Sequence, residues 1–271
     1  MKLAVAGKGG SGKTSISGTL ARLMARDGRS VLAIDGDTNP NLALTLGIPA
    51  DRINDLPVLP KGLLERGESG FSLKSSLAEL RSTHSVDGPD GVTLLVMAHP
   101  HEEDAGTGCY CGMHATVREL IDSATDADAD VTLLDTEASP EHLTRGTAKY
   151  ADLMLTVVEP YYKSLETGRR MAELARGLGL ERVLLVANKV RDRNERAAVE
   201  EFARQHDLQI AAVVPYDEKL LEAERAEAAP LDFAPDAPAI RAIGSIARNL
   251  SGNGAGANRA PAVNGGGGAD A

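Results

Sequence analysis

Gly7 to Thr14 reads Gly-Lys-Gly-Gly-Ser-Gly-Lys-Thr and follows directly on the apolar run Lys2 to Gly7. No other stretch restricts the fold as much. The pattern G-x-x-x-x-G-K-[ST] needs a strand to deliver the chain, glycines to let backbone amides converge, and a helix whose first turn completes a phosphate cradle. Gly9, Gly10, Ser11, Gly12, Lys13, Thr14 and Ser15 are therefore candidate nucleotide contacts. Lys13 neutralises the outer phosphates, and the Thr14 hydroxyl is a magnesium ligand at the helix start.

Further apolar runs recur along the chain: "VLAID", "VTLLVMA", "VTLLDT", "DLMLTVVEP", "RVLLVANK" and "IAAVVPYD". They are continuous rather than alternating, and most are followed by a helical pattern, so both faces of each strand are covered. The predicted fold is α/β: a mostly parallel, doubly wound sheet with helices on both faces, occupying residues 1–250 as one domain. Between Asp51 and Asp90 the pattern weakens, and "KGLLERG" and "SSLAELR" are short helical candidates in an insertion near the nucleotide edge. The segment 251–271, mostly Gly, Ala and Asn, is expected to be a disordered tail.

In such a sheet ligands sit at the carboxyl ends of the strands. "AIDGDTNPN" places Asp35 and Asp37 at one end, and "LLDTEASPEH" places Asp135 at another, as a Walker B carboxylate. With Thr14, Asp37 and Asp135 form the expected magnesium set; Asp37 either orients the attacking water or has a plain turn or capping role. "NKVRD" resembles the guanine-reading N-K-x-D, but Arg191 stands at the fourth place and puts Asp192 out of register. Asn188 alone can still bond the N6 and N7 edge of adenine, so ATP is the expected nucleotide. Pro215, in the last apolar run, is counted with Asn188 among the nucleotide contacts.

The chain has two cysteines, Cys109 and Cys111, in "GTGCYCGMH". A disulfide between residues one apart closes a strained ring, whereas two thiolates make half of a tetrahedral metal site. His114 follows by three residues and either approaches that metal from a helix or is a helix-start or surface histidine. His99 and His101 are weak metal candidates or members of a solvated loop.

Lys8, which an ordinary phosphate loop does not require, makes "KGGSGKT" resemble the deviant Walker A motif of the MinD, ParA, nitrogenase iron protein and Mrp superfamily. That resemblance implies an ATP-sandwiched homodimer in which Lys8 reaches the partner's phosphates. Lys8, Lys13, Asp37 and Asp135 are then the catalytic set, and hydrolysis depends on dimerisation. Within the superfamily "KGGSGKTS", "DGDTNPNL", "GCYCGMHATVREL", "DTEASPEHLTRGT" and "VANKV" most resemble the CooC-type ATPases, which mature nickel carbon monoxide dehydrogenase. The resemblance implies that Cys109 and Cys111 of two chains meet at the twofold axis and hold Ni2+ or Zn2+ with four sulfurs, for delivery to a client metalloenzyme. Ser139 and Pro140 stand where that family has Gly and an aliphatic residue, which is expected to alter the switch after the Walker B aspartate.

A net charge of -10 and an aromatic content of 3% without tryptophan argue against nucleic acid or anionic lipid as partners. The early phosphate loop makes the first apolar run a buried strand and not a signal peptide, and no run is long enough for a bilayer, so a cytoplasmic protein is expected. Two other functions stay open: a MinD/ParA-like positioning ATPase, and a redox or scaffold ATPase carrying an iron-sulfur cluster between subunits.

Overall fold

The computed structural model describes residues 1–67, 70–99 and 111–252. Its centre is an eight-stranded sheet built from β1 (Lys2–Gly7), β2 (Val31–Gly36), β5 (Ser85–Asp87), β6 (Thr93–Val96), β7 (Val131–Thr136), β8 (Leu153–Val158), β9 (Val183–Val190) and β10 (Gln209–Pro215). The spatial order is β10-β9-β8-β1-β7-β2-β6-β5. All neighbours run parallel except the edge strand β5, which pairs antiparallel with β6.

Alternate residues of each strand feed two cores. Leu3, Val5, Val31, Ala33, Leu133 and Leu155 face α1 (Lys13–Arg26) and α10 (Pro238–Gly252), where they meet Ile16, Leu20, Ile243 and Ile246. Ala4, Ala6, Met154 and Leu185 face the other way, onto Met171 and Ala175 of α6 (Tyr162–Gly177) and Val199 of α7 (Arg193–Gln205). Leu32, Ile34 and Leu134 complete that second face against Val117, Leu120 and Ile121 of α4 (Cys111–Ser123). Burial on both faces is why the strand sequences do not alternate between apolar and polar.

The weakly patterned insertion resolves differently from one of its two expected helices. "SSLAELR" supplies α3 (Leu77–His84), opened by Ser76, whose hydroxyl accepts from the Glu79 amide at 3.2 Å. "KGLLERG" does not form a helix: Leu64–Gly67 is strand β3, paired antiparallel with β4 (Gly70–Leu73). Gly62 in the left-handed region (φ 81°) and Gly67 bracket only four residues, too short a stretch to hold a helix against pairing Leu64 with Leu73. Short helices α2 (Leu42–Leu46), α5 (Glu141–Thr144), α8 (Glu218–Arg225) and α9 (Pro230–Phe233) fill the remaining connections. The first two residues of the expected tail, 251–271, belong to α10, and 253–271 lie outside the described residues.

Candidate nucleotide-binding site

The central strands β1, β7 and β2 end together, and their register brings the acidic side chains into one place: Val5 pairs with Asp135, and Asp135 with Asp35. From β1 the chain turns through residues 8–12 into α1. Gly12 caps that helix in a left-handed conformation (φ 93°) with no side-chain cap, which leaves the first-turn amides directed at the loop. Glycine is required there twice over, because a Cβ on Gly12 would collide with the Asn188 amide as well as strain the backbone. Lys13 is 6% exposed, and the buried Ser11 hydroxyl has no hydrogen-bond partner. An inward lysine, a free hydroxyl and unclaimed amides are the donor set a polyphosphate needs.

Asp135 is buried and accepts hydrogen bonds from Thr14 and from the Ser17 hydroxyl, the latter at 2.9 Å. Burial pushes its carboxyl up to about 6, against the pull of those two hydroxyls and of Lys13, with Asp37 adding to the rise. Asp35, fully buried, accepts from the Asp37 amide at 3.2 Å and the Leu42 amide at 2.9 Å; burial first, then Asp135, raises it to about 8. Asp37 takes the turn role at its own position and also acts on its neighbours. Its Oδ1 takes the Asn39 amide at 2.9 Å in a local turn, and its charge is felt by Asp35 and Asp135. A hydroxyl and crowded carboxylates, all hard oxygen donors, fit magnesium, and a divalent cation would relieve their mutual repulsion.

Asn188 comes from β9 and Pro215 from β10, the second and third strands out from β1. The Asn188 amide nitrogen donates to the Ser11 carbonyl at 2.7 Å, so this residue shapes the phosphate loop. Pro215 ends β10 opposite Val190, at the edge of the site away from the carboxylates. Lys189, which the motif reading passed over, reaches the Gly10 carbonyl and pairs with Glu159 at 3.1 Å. Glu159 accepts the Tyr161 hydroxyl at 2.9 Å, and that hydroxyl lies 3.5 Å from the Lys8 ammonium. Lys8 is therefore held on its own chain by Tyr161, with Gly9, Gly10 and Ser15 completing the loop and helix start around it.

The matching sequence pattern is that of the CobQ/CobB/MinD/ParA nucleotide binding domain, over residues 2–239. The chain belongs to this family. It is an ATP-binding P-loop ATPase of the CobQ/CobB/MinD/ParA type. The chain is 35% identical over 244 residues to the carbon monoxide dehydrogenase accessory protein CooC of Rhodospirillum rubrum, covering 87% of this chain and 91% of that one. An uncharacterised ATP-binding protein of Methanocaldococcus jannaschii is 35% identical over 233 residues, covering 83% and 88%. Among solved structures, MinD of Pyrococcus horikoshii complexed with Mg-ADP superposes with a TM-score of 0.72 at 20% identity, over 93% of this chain and 96% of that one. MinD of Aquifex aeolicus does so at 0.67 and 22%, over 93% and 97%. At these identities the family's structures share the fold.

The cysteine motif lies at the border of the described residues. Cys109 and His101 fall outside them, and Cys111 is the first residue of α4. The helix expected from "GMHATVREL" forms, but His114 is not a surface residue. It is 2% exposed, with Nε2 at 3.1 Å from Glu137 Oε2, and burial above all lowers its pKa. His142 of α5 is buried too, at 0% exposure, and neither ring nitrogen has a partner. Burial, followed by the charges of His114, Lys13 and Arg145, depresses its pKa to about 3. Both His142 and Glu137 lie in the stretch Asp135–Thr147 that carries the family resemblance, but no ligand spacing singles either out, because Glu137 meets His114 and His142 is buried only in the folded chain. Pro140 caps α5 with its carbonyl accepting from Leu143 at 3.1 Å, so its missing N–H takes nothing from the helix start; the Ser139 hydroxyl accepts the Glu141 amide at 3.1 Å. Among the described residues no helix is long and apolar enough to cross a membrane, and no group of three or more His, Cys, Asp or Glu side chains is placed to hold a metal ion.

Proposed function

We propose that this chain is an ATP-hydrolysing, homodimeric metallochaperone whose cargo is nickel, with zinc able to take the same sulfurs. Its client is a nickel enzyme such as carbon monoxide dehydrogenase. The observation that carries the reading is α4: it begins at Cys111 and, one turn later, buries His114 against Glu137, two residues beyond Asp135 of the nucleotide site. The helix that starts at Cys111 is thereby tied to the strand end that carries Asp135. The similarity to CooC over most of both chains supports the same assignment.

In this reading the amides of residues 9–14 and the Lys13 ammonium hold the phosphates, and Asn188 and Pro215 border the base. Magnesium, held by Thr14 and by Asp135, with Asp37 nearby, draws charge from the phosphate oxygens when bound. Asp37 orients the water for in-line attack. Lys8 leaves Tyr161 and crosses to the partner's phosphates, where its charge offsets the negative charge developing in the transition state. Hydrolysis therefore waits on dimerisation. Closure brings two Cys109-x-Cys111 pairs together, and four sulfurs complete a site that one chain cannot make.

The test is elemental content and oligomeric mass after anaerobic purification, with and without ATP and magnesium. One nickel or zinc per two chains, appearing with the dimer and lost in Cys111→Ser, is expected. An ATP-dependent dimer without metal refutes the chaperone and leaves a positioning ATPase; a brown, visible-absorbing dimer would instead identify an iron-sulfur carrier.

A further inference from the structure

The segment from Glu137 to Gly146 touches both sides of the problem. Its Ala138 methyl lies 3.7 Å from where a Cβ on Gly9 of the phosphate loop would be. Its Glu137 carboxylate meets His114 Nε2 at 3.1 Å. At its far end the Arg145 carbonyl accepts from Arg118 Nη1 at 3.2 Å, and Gly146 sits in left-handed conformation (φ 73°) with its Cβ position 3.6 Å from the Arg118 Cδ. His114 and Arg118 lie four residues apart on α4, so both contacts come from one face of the helix. The segment is anchored by buried His142 and Leu143 of one short helix, α5, and is half-buried from Glu137 to Pro140, next to the phosphate loop.

We propose that α4 is yoked to this segment at two points, and that His114 and Arg118 are positioning residues that carry the nucleotide state from the phosphate loop to the Cys111 end of α4. A helix moves as a rigid rod over one turn, so a displacement of Glu137 and Arg145 passes to the first residue of α4 without needing a wider rearrangement. Two contacts on one face join the helix to the segment over a full turn, beside its packing on the sheet through Val117, Leu120 and Ile121. The thiol-bearing end then differs between nucleotide states because the segment that holds it does. This inference rests on the cargo-site reading above only for its biological meaning; the mechanical link is independent of metal.

The test therefore reads a thiol first and a metal second. In full-length Cys109→Ser protein, Cys111 is the sole thiol, and its alkylation rate is measured with Mg-ADP and with a magnesium-bound non-hydrolysable ATP analogue. A rate ratio of fivefold or more between the two states is expected. In the His114→Leu/Arg118→Met background the ratio should fall below twofold, with nucleotide affinity and the ATP-dependent mass unchanged; His114→Gln, which can still donate to Glu137, should keep it. Arg118→Met alone, at a partly exposed position, should at least halve the ratio and serves if the double variant does not fold. A ratio unchanged in these variants, a collapse that merely follows loss of the dimer, or no nucleotide dependence in the parent overturns the yoke. Cobalt(II) titration of the wild-type chain, read by thiolate charge-transfer absorption, is the separate arm: its failure beside a nucleotide-sensitive Cys111 sinks the cargo site and leaves the yoke standing.

Discussion

Asp135→Asn is the substitution that most directly tests the electrostatics of the site. The two residues are isosteric, and the Thr14 and Ser17 hydroxyls that now donate to the carboxylate can rotate to accept from the new amide. What changes is charge, in a place where burial raises Asp135 to about 6 and where its charge helps to raise Asp35 to about 8. A carboxyl whose folded pKa is raised keeps its proton in the native state after the unfolded chain has lost it. Its favourable share of stability is therefore complete below the unfolded pKa near 4 and is lost as pH climbs through the folded pKa. At about 1.4 kcal/mol per pH unit, the rise from 3.8 to about 6 amounts to about 3 kcal/mol.

Thermal unfolding without nucleotide or magnesium should thus show wild type and Asp135→Asn coinciding near pH 4 and separating up to pH 7. There the variant should melt higher by roughly 6–12 °C, taking 2–4 °C per kcal/mol for a domain of this size. Relief of Asp35 in the variant adds to the gap. Magnesium with ADP should narrow it, because the cation rewards only the carboxylate. Parallel melting curves at every pH would show that Asp135 carries no such penalty and that the reading of a charge-crowded site is wrong.

His142→Leu should stabilise the fold by about 1–3 kcal/mol in urea, since it replaces a buried ring with two unpartnered nitrogens by an apolar side chain. Because its pKa is depressed to about 3, wild type should also lose stability as pH falls from about 6.5, where only the unfolded chain takes up that proton; the variant should lack that slope. Arg22, whose side chain is 3% exposed, forks onto Asp232 at 2.5 and 2.8 Å and reaches Asp90 at 2.6 Å, so Arg22→Ala should lower the urea midpoint by the equivalent of about 2–4 kcal/mol. Arg22→Lys should recover little of it, as one ammonium cannot span both carboxylates. Asn188→Ala should weaken ADP binding by roughly five- to thirtyfold in calorimetry, the effect of about 1–2 kcal/mol from leaving the Ser11 carbonyl without its donor.

The parts of this molecule legible in the sequence are those set by short-range rules. Gly12, Lys13 and Thr14 announce themselves because a phosphate cradle demands those residue types in that order, and the strand ends at Asp35 and Asp135 follow from apolar runs that stop at a charge. Contacts made by folding leave no such trace. Leu64–Gly67 carries a pattern compatible with helix, and only its pairing with Gly70–Leu73 decides for a ribbon. β5, three residues long, is too short to show a period, and is a strand only because Val86 can pair with Leu94 at the sheet edge. His114 read by itself was compatible with surface, yet the apolar positions Val117, Leu120 and Ile121 point α4 into the sheet, and on that helix His114 lies on the same side as Val117 and Ile121. The 3.6-residue period was the signal that would have buried it.

The same geometry explains why so many polar residues meet in one small region. Parallel strands deliver their carboxyl ends to one edge, so the loop after β1, the carboxylates of β2 and β7, and the helix α4 that precedes β7 must all crowd there. Burial first, and neighbouring carboxylates second, raise Asp35 and Asp135, and burial leaves His142 neutral and unpartnered, each a local cost carried by the apolar sheet beneath. A cation that pairs with those carboxylates gains by offsetting the desolvation that burial imposes on their charged forms. Glu137, fixed to Asp135 through two peptide bonds and to α4 through His114, is placed to turn that gain into movement of the helix. The segment would then respond to charge at the phosphate loop even in a chain whose cysteines had been removed.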